Sequence, residues 1–106
     1  MKAFTPHPKP VKPIRGTKEC REWMGLVAQL PCILDGCGVW PVELHHCAHG
    51  RYSQRRASDL DVIPLCPKHH RLRTNHGETW ATMYGFDTDY LPIVKKAVER
   101  LQARSV

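Results

Sequence analysis

The run Cys66-Pro67-Lys68-His69-His70 puts one thiol and two imidazoles within a single turn or so of chain. Upstream, Cys32 and Cys37 are separated by four residues, and His45, His46 and Cys47 are consecutive. These are ligands for a borderline-soft cation. Tetrahedral zinc takes four of them, usually from two short clusters that the fold brings together. Cys32 and Cys37 form one pair; Cys66 and His69, two residues apart, form the other. Three thiolates and a neutral imidazole leave a divalent ion with roughly one net negative charge, which suits a structural site rather than an electrophile. Its work would be to pin a strand to the start of a helix. In so short a chain, removing the metal should cost much of the fold. Cys20 falls on the apolar face of a helix and reads as core, and Cys47 stands as a rival ligand.

His45, His46 and His70 remain. Adjacent residues on a strand point to opposite faces, so His45 and His46 do not share an ion easily. A division of labour is more natural: one binds a metal, and the other faces a water as general base, a task suited to imidazole. His70 follows a zinc ligand at a helix start. Helical neighbours lie about 100° apart, so His70 faces away from the zinc and can meet His45 across a hairpin. A closed zinc site alone suggests a binding module. An open site beside it suggests an enzyme.

The rest of the chain sets bounds. Its 106 residues allow one small domain. A formal net charge of +6 favours an anionic partner, nucleic acid first, over a basic surface that merely keeps the chain soluble. No apolar run approaches the roughly 20 residues that span a bilayer. The opening MKAFTPHPKPVKP lacks a signal peptide's apolar segment, so a cytoplasmic location is expected. Five cysteines are an odd number, and with histidines beside them they point to metal binding rather than a disulfide framework.

The positioning elements follow from pattern. Residues 1–16 carry four prolines among lysines and an arginine and read as a basic extended arm. A single domain follows over 17–106. Thr17 is an N-cap for a helix over 17–30, with Cys20, Trp23, Leu26, Val27 and Leu30 on one face and Pro31 ending it. Gly36 and Gly38 around Cys37 suggest a metal knuckle. Val39, Trp40, Val42 and Leu44 favour a strand leading into His45 and His46, and residues 61–66 form a second strand with Pro64 at its edge or end. One helix is expected over 67–84, started by Pro67 and stopped by Gly85, and a last amphipathic helix over 89–104.

Several ordered motifs, PC…CG, LHH, SDLDVIPLCPKHH and a helix ending in MYG, resemble the HNH endonucleases, most closely the small phage and prophage branch that includes the recombination-enhancement nucleases. The similarity runs from about Trp23 to Gly85. The resemblance implies an α+β fold with a zinc-stapled ββα-metal (HNH) core over about 31–85 and flanking helices. It implies that His45 and His70 are ligands of a catalytic divalent ion such as Mg²⁺ or Mn²⁺, and that His46 is the general base. Asp59 sits where the family often has the asparagine of its name and would orient the base or brace the loop. Cys32, Cys37, Cys66 and His69 look like the structural zinc set. The family often has a further His or Asn four residues after the His70 position, where this chain has Thr74. His76 is a weaker candidate, since six residues turn a helix about 240° from His70; a core or surface histidine is the preferred reading there.

Arg51, Arg55, Arg56, Lys68, Arg71 and Arg73 flank the proposed centre and are candidate phosphate contacts, which give affinity with little sequence information. The expected activity is metal-dependent hydrolysis of DNA with low sequence specificity, in phage or prophage recombination or DNA processing. Monomer and homodimer are both open. The alternatives are a zinc-stabilised DNA-binding module with a degenerate centre and a structural or partner-binding zinc domain.

Overall fold

The computed structural model describes residues 15–47 and 58–104. Within them the chain is a small α+β domain. A helix α1 (Lys18–Val27) precedes a two-stranded sheet of β1 (Glu43–His46) and β2 (Val62–Leu65), and three helices follow: α2 (Pro67–Asn75), α3 (Gly77–Tyr84) and α4 (Leu91–Arg104). A 3-10 turn over Asp87–Tyr90 leads into α4.

Thr17 caps α1 as expected, its hydroxyl oxygen accepting from the Cys20 amide at 3.1 Å. Cys20 and Val27 on the inner face are fully buried, and Trp23, Met24 and Leu26 pack beside them. The strands pair antiparallel with His45 opposite Ile63 and His46 opposite Val62. The period-2 alternation of β1 buries His45 and exposes His46. Every residue of β2 is buried. Pro64 lies inside β2, opposite Leu44, and its carbonyl accepts from the Ile33 amide at 2.9 Å. Its missing N–H is tolerated because a two-stranded sheet has only edge strands.

Four boundaries differ from the sequence expectation. Helix α1 ends at Val27, with Ala28 as its C-cap, and does not run on to Pro31. The first strand starts at Glu43 and not at Val39, because Pro41 interrupts the run; Trp40 is exposed, and its indole N–H donates to the Ala28 carbonyl at 3.2 Å. The helix expected over 67–84 is two helices, broken at His76 with φ −137° and ψ 57°. Asn75 and Gly77 flank the break, and both are poor helix formers. The last helix begins at Leu91, after the 3-10 turn. Gly85 stops α3 at φ 82°, as its lack of a side chain allows.

Trp80 of α3 is the largest fully buried side chain, and Tyr84 and Tyr90 pack against it with ring centroids at 5.5 and 5.9 Å. Val94 and Val98 of α4, Val27 of α1 and the β2 residues close the core around it. Truncation there leaves a cavity the short helices cannot collapse into. Trp80→Ala is expected to destabilise the zinc-loaded protein by about 3–5 kcal/mol, read by chemical denaturation; a cost below about 1 kcal/mol would contradict this packing.

Candidate metal centre and histidine cluster

The turn after α1 is built to present sulfur. The Cys32 amide donates to the Val39 carbonyl at 2.9 Å and the Cys37 amide to the Leu34 carbonyl at 3.1 Å, which folds residues 32–39 into a knuckle. Gly36 and Gly38 take φ of 79° and 61°, a conformation that other residues resist. Opposite the knuckle, β2 delivers Cys66 and the first turn of α2 delivers His69.

The four donor atoms lie within 4.8 Å of one another. His69 Nδ1 is 3.6 Å from Cys32 Sγ, 3.5 Å from Cys37 Sγ and 3.1 Å from Cys66 Sγ, and the Cys37 and Cys66 sulfurs are 3.9 Å apart. Zinc bonds of normal length imply tetrahedral edges of roughly 3.8 Å between sulfurs and about 3.6 Å between sulfur and nitrogen. The donor set therefore fits zinc in type, number and spacing. The thiols differ in their surroundings. Burial pushes the Cys32 thiol up to about 11, whereas a hydrogen bond from the Val39 amide holds Cys37 below its ordinary value. A divalent cation bound here would have to displace the Cys32 proton against that burial. Tyr84 packs edge-on to the His69 ring at 5.6 Å, so the ligand is braced from the core side. Cys47 and Cys20 are buried outside this group.

The other face of α2 meets β1. His45 and His70 approach with ring centroids 5.5 Å apart, edge to face. Each imidazole is held by a carboxylate that sequence reasoning did not single out. His45 Nε2 lies 2.9 Å from Asp87 Oδ2, and His70 Nδ1 lies 2.9 Å from Glu43 Oε1. Glu43 was legible in principle, two residues before His45 on the same strand face. Asp87 was not, because it arrives from the 3-10 turn beyond α3. Asp87 is fully buried, and the Arg73 guanidinium binds the same oxygen at 3.1 Å. Arg73 also lies over the Trp80 ring, 5.9 Å from its centroid. This corrects the expectation for Arg73: it turns inward to neutralise a buried carboxylate and is not a free phosphate contact. Removing it would strip that buried carboxylate of its guanidinium partner. Arg73→Ala is expected to cost about 3–5 kcal/mol in denaturation experiments, against less than ~1 for exposed Arg71→Ala.

His46, on the opposite strand face, is half-exposed, and its Nε2 lies 2.8 Å from Asp59 Oδ1. Asp59 Oδ2 accepts from the Gly16 amide at 2.8 Å. Gly16, assigned to the arm in the sequence, is thus tied to the loop before β2. The Gly16 amide first, and His46 second, hold the Asp59 carboxyl below its ordinary value of 3.8. A depressed carboxylate contributes stability above its unfolded pKa and loses it as pH falls through the lower folded value. Carbon-13 titration should therefore place the Asp59 midpoint below 3.8; a midpoint at or above it would mean that neither bond persists in solution.

Lys68 and Arg71 are exposed on α2. Arg51, Arg55 and Arg56 lie outside the described residues, as does the arm up to residue 14. His76 sits exposed at the junction of α2 and α3, so the core reading of that histidine gives way to the surface one. Thr74 is exposed on the last turn of α2. Among the described residues no helix is long and apolar enough to cross a membrane.

Against known protein families, residues 4–100 match the family DUF968, described as a protein of unknown function. The chain belongs to the DUF968 family. No curated protein and no solved structure matches this DUF968 chain.

Proposed function

We propose that this DUF968 protein is a metal-dependent DNA endonuclease of HNH type. One observation carries the reading. A half-exposed histidine backed by a carboxylate, His46 with Asp59, sits on one face of β1, while His45 and His70 converge on the other. The Cys/His group fixes the start of the helix that brings His70 there.

The chemistry follows from donors and acceptors. An ionised carboxylate only accepts, so Asp59 selects the His46 tautomer with hydrogen on Nε2. That leaves the Nδ1 lone pair to take a proton from an attacking water. Asp59 also stabilises the imidazolium formed when the proton arrives. His45 and His70, with two ring nitrogens on carboxylates, are the nitrogen donors for a divalent ion whose other positions would go to water and phosphate oxygens. Such an ion would supply positive charge to the phosphorane-like transition state and the leaving oxygen. Exposed Lys68 and Arg71 and the arginines of 51–56 would hold the phosphate backbone, which favours low sequence specificity.

A plasmid-nicking assay on zinc-loaded protein tests this, with Mg²⁺, Mn²⁺, Co²⁺ or Ni²⁺ added in turn and His46→Ala alongside. Metal-dependent nicking lost in the variant is the expected result. A second reading, a zinc-stabilised DNA-binding module, has its own support: Thr74 at the further ligand position, and Arg73 turned inward. Salt-sensitive DNA binding without cleavage under any of the four metals would favour it.

A further inference from the structure

We propose that Asp87 is a positioning residue for His45: it fixes the imidazole tautomer with hydrogen on Nε2 and so reserves Nδ1 as the nitrogen available to a divalent ion. The proposal rests on the nuclease reading for the use of that nitrogen, but not for the tautomer itself.

The geometry distinguishes an anchor from a ligand. Asp87 Oδ2 accepts from the Arg73 guanidinium at 3.1 Å and lies 2.9 Å from His45 Nε2. The carboxylate is fully buried, and the His45 side chain is almost so. A carboxylate oxygen that already accepts from a guanidinium is placed as an acceptor, and an ionised carboxylate cannot donate to the imidazole. The proton therefore belongs on Nε2. Metal-binding histidines commonly give their other ring N–H to such a partner, which sets ring orientation and raises ligand basicity. Arg73 pairs with the same carboxylate oxygen that faces His45, and charge-assisted pairing of this kind favours a carboxylate that accepts. Gly77 leaves room for this: a side-chain carbon there would lie 3.1 Å from Arg73 Nη1.

The anchor also ties the cluster to the end of the fold. Asp87 opens the 3-10 turn that leads into α4, and that same turn is capped by the Phe86 amide donating to Asp89 Oδ2 at 3.2 Å. The ββα unit supplies His45 and His70, but the residue that orients His45 comes from beyond it.

Nitrogen-15 NMR of the imidazoles in zinc-loaded wild-type protein is the first test. His45 should show hydrogen on Nε2 alone. Hydrogen on Nδ1 would overturn the proposal, with no variant needed. Because Asp87 and Arg73 form a buried pair, the variants change both: Arg73→Met with Asp87→Ala, and Arg73→Met with Asp87→Asn. Zinc content and a cooperative melt check that each is folded. The alanine variant should populate the Nδ1–H form and lose about 10–100-fold in Mn²⁺ affinity measured by electron paramagnetic resonance. The asparagine variant, which keeps an acceptor oxygen, should retain the Nε2–H form. An unchanged tautomer or unchanged Mn²⁺ affinity in the folded alanine variant would overturn the proposal. The two readings fail separately. Wild-type protein with Nε2–H that cuts no DNA keeps the anchor and removes the nuclease; Nδ1–H in a protein that nicks DNA removes the anchor alone.

Discussion

Stripping the metal from the Cys32, Cys37, Cys66 and His69 group is expected to unfold the domain. The four ligands bridge the knuckle after α1, the end of β2 and the start of α2, three segments otherwise joined through a two-stranded sheet and a small core. A structural zinc contributes about 10–16 kcal/mol at neutral pH. The whole stability of a domain is roughly 5–15 kcal/mol. The metal term is thus as large as the margin it protects. One zinc per chain by elemental analysis, loss of the cooperative melt on chelation, and recovery when zinc is returned are the expected results. Cys66→Ser should behave like the stripped protein, and exposed Lys68→Ala should not. A chelated protein that melts as before would remove the staple.

His46→Ala should separate chemistry from folding. The His46 side chain is 40% exposed, so its loss leaves no cavity of consequence and the melting temperature should barely move. Cleavage should fall by about 10²–10⁴-fold, the usual size of a general-base contribution. DNA affinity should hold, since phosphate contacts from basic side chains dominate it. Asp59→Ala should fall between, by roughly 10–100-fold, from the loss of a charge-assisted hydrogen bond to the base. Plasmid nicking and a binding assay at fixed salt measure all of these. Retained cleavage by His46→Ala would remove the assigned base whatever the fate of Asp59→Ala.

The local signals in the chain carried far. Thr17, Pro67 and Gly85 mark helix ends by what their own side chains or missing groups do to the backbone, and each acts on its own few residues. Gly36 and Gly38 mark the knuckle for the same reason. The alternation that puts His45 inside and His46 outside is a property of any strand. The spacing of Cys32, Cys37, Cys66 and His69 anticipated the donor group, because short ligand pairs are kept close by the chain itself. Where local rules competed, pattern reading failed: Pro41 outweighed the strand-forming Val39 and Trp40, and Asn75 with Gly77 split a helix whose apolar positions ran on.

What only the tertiary structure decided is which partner each charged group has. Arg73 looks like its basic neighbours Lys68 and Arg71, yet it turns to a carboxylate fourteen residues away, whereas those two stay in solvent. Asp87 carries no motif, yet it reaches His45 across forty-two residues. Asp59 meets both His46 and the Gly16 amide. Hydrogen bonds and ion pairs act over about 3 Å, a separation that chain distance does not encode once loops and helices fold back. Residue type and spacing determined which groups could bind a metal or move a proton. Packing of α2 and α4 against the strands, with the 3-10 turn that carries Asp87 to His45, decided which of them are oriented, which are neutralised and which remain open to solvent.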